Sequence, residues 1–245
     1  MKLPLTSFAG KMKVACFISG NGTNATKIIE YQNQFPKCNY EVVLIFSDNE
    51  NSNANEIGNV FKIPIIICDI KNFYLQKKLN KNDLSKRNLF DENTINLISS
   101  FHIDIIVLCG YMSIVSKILI KKYLIINVHP ADLRIEENGK RKFVGANAIQ
   151  KSIQSGEKFL HSTTHIVNHI VDGGKILIVS EAIKVEKNLS IKEHQEKLKQ
   201  TCDWKIYPKT LELIANQKFL KDENNNLYFL NKKIQTGILY EEIKN

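Results

Sequence analysis

Five short runs rich in β-branched residues recur through the first half of the chain: KVACFI (13–18), YEVVLIFS (40–47), IPIIIC (63–68), DIIVLCG (104–110) and YLIIN (123–127). None alternates cleanly between apolar and polar, so each reads as a strand buried on both faces. Between them lie NATKIIEYQNQ (24–34), NANEIGNVFK (53–62) and NLFDENTINLISSF (88–101), with apolar residues at three- and four-residue intervals. Strands of this kind alternating with helices demand a parallel sheet covered on both faces, and the first half is read as a doubly wound, Rossmann-like unit.

The second half is less regular. ANAIQKSIQSG (146–156) reads as a helix with a glycine stop, and STTHIVN (162–168) and KILIVSEAIKV (175–185) as strands. A long amphipathic stretch follows from about Ser190 to Gln217, and LYFLNKKIQTGIL (227–239) has the pattern of a small hairpin. No repeat or Gly/Ser linker divides the 245 residues, which are expected to form one α/β domain. Within it we expect a Rossmann-like phosphate-binding half at 13–127, a catalytic half with mixed strands at 128–220, and the hairpin at 221–245.

No apolar run approaches the ~20 residues of a bilayer span, and the N-terminus lacks a secretory apolar region of ~7–15 residues. We expect no membrane partner and a cytoplasmic location. The five cysteines are odd in number and mostly set in apolar runs, which suits small buried side chains in a reducing compartment. Their spacing gives no zinc motif. The net charge of +9 comes from lysines scattered along the chain, so nucleic acid is not the expected partner, although a basic RNA-binding module is the non-enzymatic alternative. Oligomeric state is not legible.

Three local patterns carry chemistry. In FISGNGTNATKII a strand runs through Gly20 and Gly22 into a helix, whose unpaired N–H groups suit a phosphate; Thr23 and Asn24 can cap the helix or bond the anion. In YLIINVHPAD, Asn127 and His129 lie two apart at a strand's carboxyl end and share a face. In HIVDGGKIL, Asp172 sits on a tight turn before two glycines. Amide, imidazole and carboxylate together suit acyl transfer: the amide bonds a developing oxyanion, a protonated His129 adds charge, and Asp172 raises the imidazole pKa. His161, His165 and His169 lack acidic partners in register, so no metal is expected, while His165 is placed as a pocket-lining residue.

SGNGTN, SKRNLFD, LCGYMSIVS, NVHPADL, HIVDGGKIL and IYP, in this order, resemble the folate-dependent glycinamide ribonucleotide formyltransferases of purine synthesis, from about Lys13 to the C-terminal hairpin. The resemblance implies formyl transfer from 10-formyltetrahydrofolate, as co-substrate, to the primary amine of glycinamide ribonucleotide. It implies Asn127, His129 and Asp172 as the catalytic trio, and Gly22, Thr23 and Asn24 as the substrate-phosphate loop. Arg87 and the segment Met112, Ser113, Ile114 and Val115 would meet the folate.

Departures from the family pattern are local. Ser113 stands where an arginine is usual, Asp203 (placed in the pocket) where glutamate is usual, and Trp204 where histidine is frequent. The loop after NVHP, ADLRIEENGKRKFVGAN, is longer and basic. Its Lys140, Arg141 and Lys142 are read as a solvated tip, or as replacements for the missing arginine. A formyltetrahydrofolate hydrolase, or a transferase using another amine, is the alternative within the fold.

Overall fold

The computed structural model describes residues 1–243, which form two compact units. One comprises Thr6–Ile126; the other comprises Met1–Leu5 and the chain from Asn127 onward. The strand Leu124–His129 carries the chain from one into the other.

In the Thr6–Ile126 unit the class expected from the apolar runs is present. Met12–Ile18 pairs in parallel with Tyr40–Ser47 on one side and with Ile105–Leu108 on the other, and Ile65–Ile67 lies beyond Tyr40–Ser47. Side chains of both parities are buried along these strands: Val14, Ala15, Cys16, Phe17 and Ile18 are all inaccessible. That is why the runs are continuously apolar. Helices occupy Thr23–Gln34, Ala54–Phe61 and Arg87–Ile98. Two shorter ones, Ile70–Gln76 and Lys117–Lys122, have too few turns for a clear periodic signal. After Met12–Ile18 the chain first builds outward in one direction and later returns to the other side. The loop Ser19–Gly22 therefore leaves the sheet at a point where strand order reverses, the usual place for a ligand in such sheets.

The second unit departs more from expectation. Thr163–Ile166 runs antiparallel to Ile176–Val179, with a bulge between Thr164 and His165. The run 175–185 is two strands, because Ser180–Ala182 leaves the ladder before Ile183–Lys184 pairs with Phe159–Leu160. The stretch from Ser190 starts with a capping box, Ser190 and Glu193 each bonding the other's backbone N–H, and is interrupted by a π-turn at Lys199–Asp203 before Trp204–Ala215.

The C-terminal hairpin belongs to a larger sheet: Lys2–Pro4, Phe219–Asp222, Leu227–Phe229 and Lys232–Ile234 form four antiparallel strands. Ile238–Leu239 leaves the hairpin and pairs in parallel with Ile176–Val179. His194 is almost fully buried. It accepts from the Glu186 N–H at 3.0 Å and bonds the Ser190 carbonyl at 2.9 Å. Among the described residues no helix is long and apolar enough to cross a membrane.

Candidate functional site

The strand Leu124–His129 extends through His129, so NVH is strand and the turn begins after it. Asn127 and His129 therefore share one side of the pleat, as their spacing implies. The Asp172 turn comes to the same place. His129 Nδ1 lies 3.4 Å from Asp172 Oδ2, and His165 Nε2 lies 3.5 Å from Asp172 Oδ1. Asn127 Nδ2 lies 3.3 Å from His165 Nε2. His129, His165 and Asp172 are 4%, 2% and 9% exposed, so this is a buried polar cluster.

His165 is more than a lining residue. Its Nδ1 faces the Ile166 carbonyl at 3.1 Å, which can only accept, so the proton of the neutral ring sits there. Nε2 lies between the Asn127 amide and the Asp172 carboxylate: in this neutral form it accepts from the amide, and in the protonated ring it donates to Asp172. The bulge at Thr164/His165 aims the ring. Sequence reasoning gave His165 the weaker role because a bulge leaves no periodic trace.

Two glycines make the Asp172 turn possible. Asp172 is left-handed, with φ 51°. A Cβ on Gly174 would lie 1.5 Å from the Ile166 carbonyl oxygen, so only glycine permits that approach.

Burial by itself would raise the Asp172 carboxyl. The His165 hydrogen bond, the His129 charge, the Gly145 N–H and the His165 charge outweigh it and hold the pKa at about 2. For His129 the balance runs against the expected raised value. Burial is the largest effect and lowers its pKa; Asp172 and the Phe143 carbonyl oppose this, while the charges of His165 and Arg141 add to it. Near pH 7 Asp172 is therefore the charged member and His129 the neutral one. Both ring nitrogens face acceptors. Nε2 donates to the Phe143 carbonyl at 2.8 Å, which leaves Nδ1, the nitrogen facing Asp172, without a proton in the neutral ring. The expectation of an imidazolium facing the substrate is corrected accordingly, since a low-dielectric site disfavours that charge.

The basic loop is not a solvated tip throughout. Lys140 is exposed, but the Arg141 Nη1 donates to the Asp172 carbonyl and Lys142 pairs with Glu137 at 3.2 Å. Asp203 is buried at the π-turn that leads into Trp204–Ala215.

The other expected site residues lie in the Thr6–Ile126 unit. Gly22, with φ 62°, is the N-cap of Thr23–Gln34, and no side chain caps that helix. The capping role expected of Thr23 and Asn24 is thus corrected: both are first-turn helical residues. A Cβ on Gly22 would lie 2.6 Å from Ile57 Cδ1, so the tight packing, as well as φ, calls for glycine. No acidic residue sits in that first turn, which leaves the dipole end uncompensated.

Arg87 begins its helix almost fully buried, 5.7 Å over the Phe90 ring, and its Nε and Nη1 have no hydrogen-bond partner among the described residues. Buried donors left unmade cost about 1–3 kcal/mol each, so this guanidinium is suited to an acceptor brought by a ligand. Met112 and Ile114 are exposed, and Val115 is half-buried. The Met112 N–H is held by Ser19 Oγ at 2.8 Å. Ser113 turns inward, its hydroxyl donating to Asp48 Oδ2. Burial raises the Asp48 pKa, against the Ser113 and Ser19 bonds and the charge of Arg87. Among the described residues no group of three or more His, Cys, Asp or Glu is placed to hold a metal ion.

Comparison with known proteins adds a family. A family model described as formyl transferase matches residues 12–211. The phosphoribosylglycinamide formyltransferase of Haemophilus influenzae is 27% identical over 226 residues, covering 90% of this chain and 94% of that protein. The trifunctional purine biosynthetic protein adenosine-3 of Gallus gallus is 29% identical over 208 residues, or 84% of this chain, and this chain spans only 19% of its length. A phosphoribosylglycinamide formyltransferase structure from Bacillus halodurans superposes with TM-score 0.68 at 28% identity, covering 82% and 93% of the two chains. One from Coxiella burnetii reaches TM-score 0.77 at 20% identity, covering 94% and 99%, a likeness of fold.

Proposed function

We propose, from the premise that this chain belongs to the formyl transferase family, that it transfers a formyl group from 10-formyltetrahydrofolate to the primary amine of glycinamide ribonucleotide. The observation that carries this reading is the buried cluster in which Asn127, His129 and Asp172 meet through His165. The Haemophilus relative, matched along nearly its whole length, supports the choice of amine.

The amine nitrogen attacks the formyl carbon and the carbonyl oxygen becomes an oxyanion. Asn127 has two N–H donors; one points to His165, and the second is available to that oxygen. His129, neutral and facing the ionised Asp172, accepts at Nδ1 the proton the amine must lose, directly or through one water. The carboxylate stabilises the imidazolium thus formed. Collapse of the intermediate breaks the bond from carbon to the folate nitrogen, and the proton passes to that nitrogen.

In the other unit, Gly22, Thr23 and Asn24 would bind the substrate phosphate at an uncapped helix start, and Arg87 would give its buried donors to the folate. The segment Met112 to Val115 would lie beside it, with Met112 and Ile114 offering exposed side chains. Ser113 would make no ligand contact, since its hydroxyl is spent on Asp48.

The test is a coupled assay. Tetrahydrofolate should appear only when 10-formyltetrahydrofolate and glycinamide ribonucleotide are both present. Equal release without the amine would make the protein a hydrolase and overturn the proposal.

A further inference from the structure

The long segment after NVHP has a conformation of its own. Asn138 and Gly139 are both left-handed, at φ 53° and 72°, as a tight two-residue hairpin turn requires. The turn joins a two-rung ladder, Glu136 opposite Arg141 and Glu137 opposite Lys140. Alternation along the ladder sends Lys140 to solvent and leaves Arg141 half-buried. From Arg141 onward, every second residue bonds the polar cluster. Arg141 Nη1 donates to the Asp172 carbonyl, the Phe143 carbonyl accepts from His129 Nε2 at 2.8 Å, and the Gly145 N–H donates to Asp172 Oδ2 at 2.8 Å.

Asp172 needs such support. A left-handed residue with a side chain is disfavoured by ~1–2 kcal/mol, and the two glycines after it add freedom without restraint. We propose that Arg141 is a positioning residue for the reaction: by gripping the Asp172 carbonyl it fixes the turn from which the carboxylate faces His129 and His165. The charged or titratable groups facing Asp172 are His129, His165 and Arg141, together with the Gly145 N–H; those acting on Arg141 are Glu136 and Asp172. Lys lacks the planar guanidinium that aims this bond, so it should fill the role only in part.

Only the kinetic arm of the test rests on the proposed formyl transfer. Hydrogen exchange of the Gly145 amide is measured by NMR, without substrates, in the full chain and in Arg141→Met, Arg141→Lys and Lys140→Met. If Arg141 holds Asp172, Gly145 loses its acceptor in Arg141→Met and exchanges at least about tenfold faster, while Lys140→Met behaves as the parent. The kinetic arm expects kcat to fall roughly 10- to 100-fold in Arg141→Met, with KM for the amine changed far less and partial recovery in Arg141→Lys.

Unchanged exchange in Arg141→Met overturns the proposal whatever the activity, and so does faster exchange with unchanged kcat. Faster exchange in Arg141→Met, where the parent itself shows no formyl transfer, upholds the positioning of Asp172 and sinks the functional reading instead. Should Arg141→Met fail to fold, Arg141→Lys is read by the same criteria, with smaller expected changes.

Discussion

Replacing Asp172 with Asn keeps the shape of the turn residue and removes its charge. In the folded protein the carboxyl sits at about 2 rather than at its ordinary 3.8, held there by His165, His129 and the Gly145 N–H against the effect of burial. At ~1.4 kcal/mol for each tenfold change in proton affinity, that difference is worth about 2.5 kcal/mol of stability. The group is almost fully buried, so little of this is lost to solvent screening. Because the folded pKa is depressed, the contribution is present above the unfolded value of ~3.9 and is lost as pH falls through 2.

The partners set the upper side of the window. His129, whose pKa is lowered by burial, takes its proton below its ordinary value, and the imidazolium then leans on Asp172. The stability gap between the parent and Asp172→Asn should therefore widen as His129 takes its proton and shrink as pH falls from ~3.9 towards 2. Urea unfolding at several pH values measures it. A gap that stays constant from pH 5 to pH 2, or that never exceeds ~0.5 kcal/mol, would refute the assignment of Asp172 as the charged anchor of the cluster.

If the proposed mechanism holds, Asn127→Ala and His129→Ala should each lower formyl transfer by roughly 10²–10³-fold while near-native circular dichroism persists, since that mechanism gives one the developing charge and the other the moving proton. Ser113→Ala takes the hydroxyl from the buried Asp48 carboxylate; it should cost ~1–2 kcal/mol, seen as a fall in Tm of a few degrees. Gly174→Ala drives a methyl into the Ile166 carbonyl and should destabilise the second unit by more than ~3 kcal/mol, read as loss of soluble protein or a much lower urea midpoint.

Much of the Thr6–Ile126 unit is legible in the chain because its information is local. A buried parallel strand must be apolar at every position, so YEVVLIFS announces Tyr40–Ser47 end to end. Lys2–Pro4 and Ile238–Leu239 carry no such signal. They are strands only because Phe219–Asp222 and Ile176–Val179 offer edges far away in sequence. The same contrast holds in the site. Asn127, His129 and Asp172 could be singled out as an amide, an imidazole and a carboxylate at a strand end and a turn, and the structure brings them into one cluster. Their states could not be read in that way.

The sequence alone determined an α/β chain, the strands of its first half, the glycines its turns need and the polar groups placed at strand ends. These follow from side-chain volume, polarity and backbone freedom, which each residue carries wherever it is. Tertiary structure decided that burial outweighs Asp172 in setting the charge of His129, that a bulge makes His165 the link between Asn127 and Asp172, and that Ser113 turns away to Asp48. It also decided that a basic loop, expected at the surface, lays Arg141, Phe143 and Gly145 against the cluster. Desolvation and hydrogen bonding depend on what surrounds a group from every side, and that is settled only when distant segments of the chain are brought together.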